Sequence, residues 1–202
     1  MKTEIEVKFA NVDVEKIRVA LKAAGAVCEQ PMRLMKRALI EEPHHQAEHA
    51  FIRIRDEGDK ITLTFKRRAD AAASTIDSVK ELEVEVSDFD KTVELFKEAG
   101  WKYKTFQESR RETWTLDDTE VVIDEWPWLK PYIEIEGESE AAIKAVAEKL
   151  GLSWSDVLYG HIDALYEMQY KFLDGVRGVI DLPEVRFDDP LPRQFKPQKG
   201  EA

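Results

Sequence analysis

The stretch EIEVKF, Glu4 to Phe9, alternates charged and apolar residues without a break. Side chains on a strand repeat with a period of two. Glu4, Glu6 and Lys8 therefore share one face, and Ile5, Val7 and Phe9 the other. A single segment of this kind is explained by an amphipathic strand with a wet outer face, since alternating antiparallel strands are common. The fold turns on whether the pattern recurs and where the charged faces then point.

It does recur. FIRIR sets Arg53 and Arg55 against Ile52 and Ile54, and ITLTFK sets Thr62, Thr64 and Lys66 against Ile61, Leu63 and Phe65. ELEVEV sets Glu81, Glu83 and Glu85 against Leu82, Val84 and Val86, VVID ends at Asp124, and YIEIE sets Glu134 and Glu136 against Ile133 and Ile135. Weaker alternation predicts two more strands, near Met32–Ile40 and Arg110–Leu116. Three helices are predicted between them: DVEKIRVALKAAG, capped at Asp13 and stopped at Gly25; SDFDKTVELFKEAG, starting at Ser87 or Asp88 and stopped at Gly100; and ESEAAIKAVAEKLG, stopped at Gly151. A fourth is expected from about Ser155 to Phe172. Three times an acid-apolar-acid strand leads into a helix ending in glycine, a weak internal repeat.

The chain has 202 residues, 43% of them hydrophobic, and a net charge of −11. That size and composition suit one globular domain with a real core, here expected over residues 1–173, with a proline-containing extension at 174–202 that is either an extended arm or docked. The acidic balance argues against nucleic acid or an anionic membrane as a partner. The lone cysteine, Cys28, rules out an intrachain disulfide and is expected to be a small packed hydrophobe. There is no signal-peptide pattern after Met1 and no membrane-length apolar run, so a cytoplasmic setting is expected.

The apolar strand faces need cover, and the amphipathic helices can supply it. In a sandwich the charged faces meet water. In a sheet of about eight strands closed on itself, with helices outside, they line a polar lumen. The lining would hold acids from Glu4, Glu6, Glu81, Glu83, Glu85, Asp124, Glu134 and Glu136. Its bases would be Lys8, Arg53, Arg55, Lys66 and one of Arg110 and Arg111. Carboxylates roughly 6.6–6.8 Å apart along a strand repel unless a cation sits among them, and hard oxygen donors suit Mg²⁺ or Mn²⁺. Clustered bases suit a polyphosphate, so the combination suits phosphoryl transfer.

EIEVK resembles the N-terminal ExExK signature of the CYTH domain, the triphosphate tunnel metalloenzymes, which include class IV adenylyl cyclases, thiamine triphosphatases and inorganic triphosphatases. The resemblance covers roughly Met1 to Phe172 and takes in RIR, TFK, ELEVE, RRETW, VVIDEW and the late EIE. It implies an α+β fold: an eight-stranded antiparallel β-barrel forming a tunnel, with helices packed outside. It implies metal ligands at Glu4, Glu6, Glu134 and Glu136, with Asp124 and Glu83 or Glu85 as further metal or water-positioning acids. Lys8, Arg53, Arg55, Lys66 and Arg111 correspond to the triphosphate grips, Arg111 being preferred to Arg110 because it stands three before Trp114. The implied catalytic set is Glu4, Glu6, Lys8, Asp124 and Glu136. The expected substrate is a triphosphate-bearing small molecule: inorganic triphosphate, a nucleoside triphosphate or thiamine triphosphate. RRETW looks more like thiamine triphosphatases, and the general layout more like sequences called class IV cyclases. Hydrolysis is the expected reaction because it makes fewer demands on unseen residues. A cyclase yielding cyclic AMP and pyrophosphate, and a catalytically silent binding module, are the alternatives. A homodimer is left open.

Other signals weigh less. HHQAEH, with His44, His45 and His49, reads as a solvated loop rather than a metal cluster, and His161 as a satisfied helix histidine. WPWLKPY, with Trp126, Trp128 and Tyr132, is expected to cover the barrel end rather than to form an aromatic platform. No GxxxxGK[ST] loop is present.

Overall fold

The computed structural model describes residues 2–41, 50–68 and 79–198, with side chains at 5–41, 50–67 and 81–198. The histidines His44, His45 and His49 lie outside the described residues. The chain opens with β1 (Lys2–Glu4) and β2 (Glu6–Phe9), two halves of one extended segment, followed by α1 (Val14–Ala23). Then come β3 (Val27–Glu41), β4 (Phe51–Asp56), β5 (Ile61–Arg68), β6 (Val79–Val86) and α2 (Phe89–Glu98). The long β7 (Lys102–Leu116) leads to β8 (Thr119–Trp126), β9 (Leu129–Glu136), α3 (Glu140–Lys149) and α4 (Ile162–Gln169). The C-terminal segment adds β10 (Tyr170–Phe172), β11 (Glu184–Val185) and β12 (Phe195–Pro197).

The result is an α+β fold with a large antiparallel sheet in the order β1-β6-β5-β4-β3-β7-β8-β9-β2. Both ends of that order belong to the N-terminal segment: β1 pairs with β6 and β2 with β9. The strands near Met32 and Arg110 are longer than their weak alternation predicts. The pairing of β3 with β7 extends from Val27↔Thr115 to Glu41↔Lys102 and contains register shifts at Cys28/Gln30, Gln30/Arg33 and Leu39/Ile40, which break the period-two pattern.

The repeated strand–helix units carry the same local signals. Asp13, Asp88 and Ser139 each accept a backbone N–H of the first helical turn, from Lys16, Lys91 and Ala142. Gly25, Gly100 and Gly151 follow the helices at φ of 82°, 83° and 73°, where a side chain would be strained. The expected fourth helix is shorter, because Leu158 pairs its backbone with Lys8 in both directions and Gly160 turns at φ 101° before Ile162.

Helices cover the apolar faces of most strands. Val7, Phe9, Val121, Ile123, Ile133 and Ile135 pack against Ile17 and Leu21 of α1 and Ile143, Val146 and Ala147 of α3. Ala38, Ile40, Ile52 and Ile54 pack against Val93 of α2. Each buried Val, Ile, Leu or Phe among them contributes about 1.5–3 kcal/mol. On β6 the expected cover is missing: Leu82 and Val84 are 59% and 52% exposed, because no described helix crosses that strand. Cys28 is also exposed, contrary to expectation; the first residues of β3 pair with β7 alone, since β4 joins only from Lys36 on.

The C-terminal segment is docked. Val179, Leu182, Val185 and Phe195 are buried with Trp126, Tyr132, Leu165 and Tyr166, and Phe195 stacks within 4.9 Å of Phe172, centroid to centroid. No described helix is long and apolar enough to cross a membrane.

Candidate functional site

The alternation seen at Glu4–Phe9 places one face of every strand from β2 to β9 on a cavity of about 1060 Å³. Its wall carries Glu6 and Lys8 of β2, Arg53 and Arg55 of β4, Lys66 of β5, Glu81 and Glu83 of β6, Arg111 of β7, Asp124 of β8, and Glu134 and Glu136 of β9. Glu4 is on β1 opposite Val79, and its side chain is not among those described. Glu85 lies opposite Thr62 but is exposed and does not reach the cavity. Arg110 points away, 46% exposed beside Glu125 and stacked on Phe187, which leaves Arg111 as the inward member of the pair.

Strand register arranges the charges in rows. Glu6 faces Glu136 across β2–β9, and Glu136 faces Glu120 across β9–β8, so three acids lie side by side. In the next row Lys8 faces Glu134. Lys8 Nζ lies 2.6 Å from Glu6 and 3.2 Å from Glu134. Burial alone would lower the Lys8 pKa, but Glu134 and Glu6 overcome it and raise it. Arg111 grips Asp124 through two bonds of 2.7 and 2.6 Å and lies 3.5 Å from Glu134. Tyr132 donates its hydroxyl to Asp124 at 3.1 Å. Burial would push Glu134 up, yet Lys8 and Arg111 hold its carboxyl far below the usual range.

The opposite wall is different. Arg37 faces Arg55 across β3–β4, and Arg53 is one pleat away on the same face. Arg55 has only Glu57 at 3.7 Å, and Arg53 only Glu83 at 3.9 Å, among the described residues. Arg53 Nε is buried with no hydrogen-bond partner. Burial, then the neighbouring Arg53, Arg111 and Arg37, push Arg55 down to about 9. Lys66 lies 3.0 Å from Glu81, and Thr64 donates to Glu83 at 2.7 Å.

Several cavity residues escaped the sequence reading: Arg37, Gln107 and Glu120. Arg37 lies in a run, Arg33–Ile40, whose apolar and charged residues do not alternate. Glu120 precedes the VVID run, and continuing its period two backward would have found it. Trp126 and Tyr132, which the sequence assigns to the cover of the barrel end, line the cavity and pack against the C-terminal segment. His161, expected to be an ordinary helix histidine, is the residue before α4 and also lines it.

Among the described residues no three His, Cys, Asp or Glu side chains converge into a ready-made metal cage. The donor set nevertheless fits a hard divalent cation. The row Glu6–Glu136–Glu120 is all carboxylate oxygen, and Glu120 is pushed up by burial against the pull of Arg111, with Glu134, Glu57 and Asp124 adding repulsion. A cation there would relieve it.

No curated protein matches the chain. Among solved structures, the PH1012 protein of Pyrococcus horikoshii is similar at 26% identity and a TM-score of 0.66, covering 80% of this chain and 98% of its own. A conserved hypothetical protein of Pyrococcus furiosus is 25% identical with a TM-score of 0.67, covering 81% and 99%. HpAC1 of Hippeastrum, which has a dominant triphosphatase activity, shares the fold at 15% identity and a TM-score of 0.54, covering 83% and 96%. The CYTH domain profile matches residues 2–158, and with the charged rows of this cavity the chain belongs to the CYTH domain family.

Proposed function

We propose that the protein is a divalent-metal-dependent triphosphatase that hydrolyses inorganic or organic triphosphates inside a charged tunnel. The observation that carries this reading is the Arg37–Arg53–Arg55 wall. Three guanidiniums face one cavity with no carboxylate closer than 3.7 Å among the described residues, an arrangement that costs free energy until an anion arrives. A chain of phosphates supplies that anion, and arginine forks match its oxygens. The two sheet ends meeting in one N-terminal segment support a closed barrel around it.

In this reading Arg53, Arg55 and Lys66 hold the phosphate chain. Lys8 and Arg111 exchange their carboxylate partners for phosphate oxygens when the substrate enters. Glu6, Glu134 and Glu136, with Glu4, would hold Mg²⁺ or Mn²⁺. Such an ion supplies charge neutralisation on the phosphates and a lowered pKa for bound water. Asp124, kept in place by Arg111 and Tyr132, and Glu83, held by Thr64, are the acids left to orient a water toward the terminal phosphorus. A site that holds the phosphate chain first discriminates weakly among organic groups.

The deciding experiment incubates the protein with inorganic triphosphate, ATP or pyrophosphate and Mn²⁺, and separates the products. Orthophosphate from inorganic triphosphate, at a rate at least that from ATP and well above that from pyrophosphate, is expected. Cyclic AMP and pyrophosphate from ATP, with inorganic triphosphate inert, would reverse the reading to a cyclase. No turnover of any triphosphate, with binding retained, would leave a binding module.

A further inference from the structure

Arg37 is held in an unusual way. Its Nε donates to Gln107 Oε1 at 2.8 Å, and its guanidinium lies 4.2 Å over the Trp126 ring. Among the described residues no carboxylate is within ion-pair distance of it. Gln107 is 1% exposed, and its side-chain amide also donates to the Val179 carbonyl at 3.3 Å. The cation on the cavity wall is thus linked, through one buried amide, to the backbone of the C-terminal segment.

That segment is built to sit there. Val179 N–H donates to Asp163 Oδ1 at 2.8 Å, and Phe106 N–H donates to the Pro183 carbonyl at 3.0 Å. Glu184 and Val185 run parallel to Phe106 and Gln107. Gly178 packs so closely that a Cβ would fall 2.0 Å from Asp163 Oδ1. The segment lies beyond the family-matched residues 2–158, and Arg177, Val179 and Ile180 line the cavity. It docks on β7 at Gln107. The acid row abuts that strand near Thr115, which faces Glu120, roughly 27 Å along the strand at about 3.4 Å per residue.

We propose that Arg37 is a further phosphate-binding residue at the end of the cavity away from the acid row, and that the C-terminal segment positions it through Gln107. Its ligand is a phosphoryl oxygen of the triphosphate, so the inference rests on the function proposed above. Gln107 takes the Nε donor and Trp126 takes one face of the guanidinium, which leaves the two terminal nitrogens for the anion. Fixing that fork before binding removes an ordering cost that a free arginine would bring to every encounter.

The test titrates the full chain calorimetrically with inorganic triphosphate in excess chelator, so that binding is read without turnover. Arg37→Gln is expected to weaken binding about ten-fold, as loss of a charge-assisted hydrogen bond does. Gly178→Ala, which displaces the segment, is expected to do nearly the same. The double variant Arg37→Gln/Gly178→Ala should bind no more weakly than Arg37→Gln alone, because both changes act through one contact. Should Gly178→Ala fail to fold, Gln107→Met cuts the same link with the segment docked and replaces it in the cycle. Additive losses would overturn the positioning role of the segment. Unchanged binding by a folded Arg37→Gln would overturn the role of Arg37 and leave the triphosphate reading standing. Failure of the unsubstituted protein to bind inorganic triphosphate would overturn both.

Discussion

Glu134 shows how much one residue's surroundings decide. It accepts from Lys8 and lies near Arg111, and the two cations hold its carboxyl far below the ordinary value of 4.5 despite burial. Its folded pKa is below its unfolded one, so its contribution to stability is complete above about pH 4.5 and is lost as pH falls toward the folded value. Melting temperature is therefore expected to drop as pH is lowered from 5 to 3. In Glu134→Gln that slope should be shallower, and the protein should already be less stable at pH 7, by about 1.5–3 kcal/mol, because Lys8 keeps Glu6 and Arg111 keeps Asp124 but each loses a second buried carboxylate. Thermal melts of both proteins across that range check it. Equal slopes would mean that other carboxylates dominate acid unfolding.

At the scale of elements, identical alternation produces different burial. Ile135 in β9 and Leu82 in β6 occupy the same kind of position in YIEIE and ELEVEV, but Ile135 is 0% exposed under α1 and α3 while Leu82 is 59% exposed. Ile135→Ala should cost about 2–5 kcal/mol from lost burial and the cavity left behind. Leu82→Lys should stay within about 0.5 kcal/mol, since it changes a surface position. Denaturant unfolding of the two variants separates the cases, and a large loss from Leu82→Lys would mean that something covers β6 in solution.

At the scale of the whole molecule, the site exists only as an assembly of strands from β2 to β9, with one wall acidic and the other basic. A divalent ion on the acid side and phosphates on the basic side would each neutralise one wall. Excess chelator is expected to abolish triphosphate hydrolysis, and Mg²⁺ or Mn²⁺ to restore it, while binding of inorganic triphosphate persists without metal. Hydrolysis at full rate in chelator would remove the metal from the mechanism.

Much of this was legible in the residues alone. Period-two alternation marked the strands and the faces that carry Glu6, Lys8, Arg53, Arg55, Lys66, Glu134 and Glu136, because a pleated backbone sends successive side chains to opposite sides regardless of context. Asp13, Gly25 and their counterparts marked helix ends, because capping is a contact within a few residues. The preference for Arg111 over Arg110 was legible too, since Arg110 has the parity of buried Trp114. What tertiary structure decided was long-range. The exposure of Glu85, on the same face as Glu81 and Glu83, was not legible. Arg37 was hidden because the run Arg33–Ile40 mixes apolar and charged residues on both faces, although its pairing with β7 is regular from Arg33 to Leu39. The bond of Arg37 to Gln107, and that of Gln107 to Val179, join residues 70 and 72 positions apart, and only the folded chain brings them within hydrogen-bond distance.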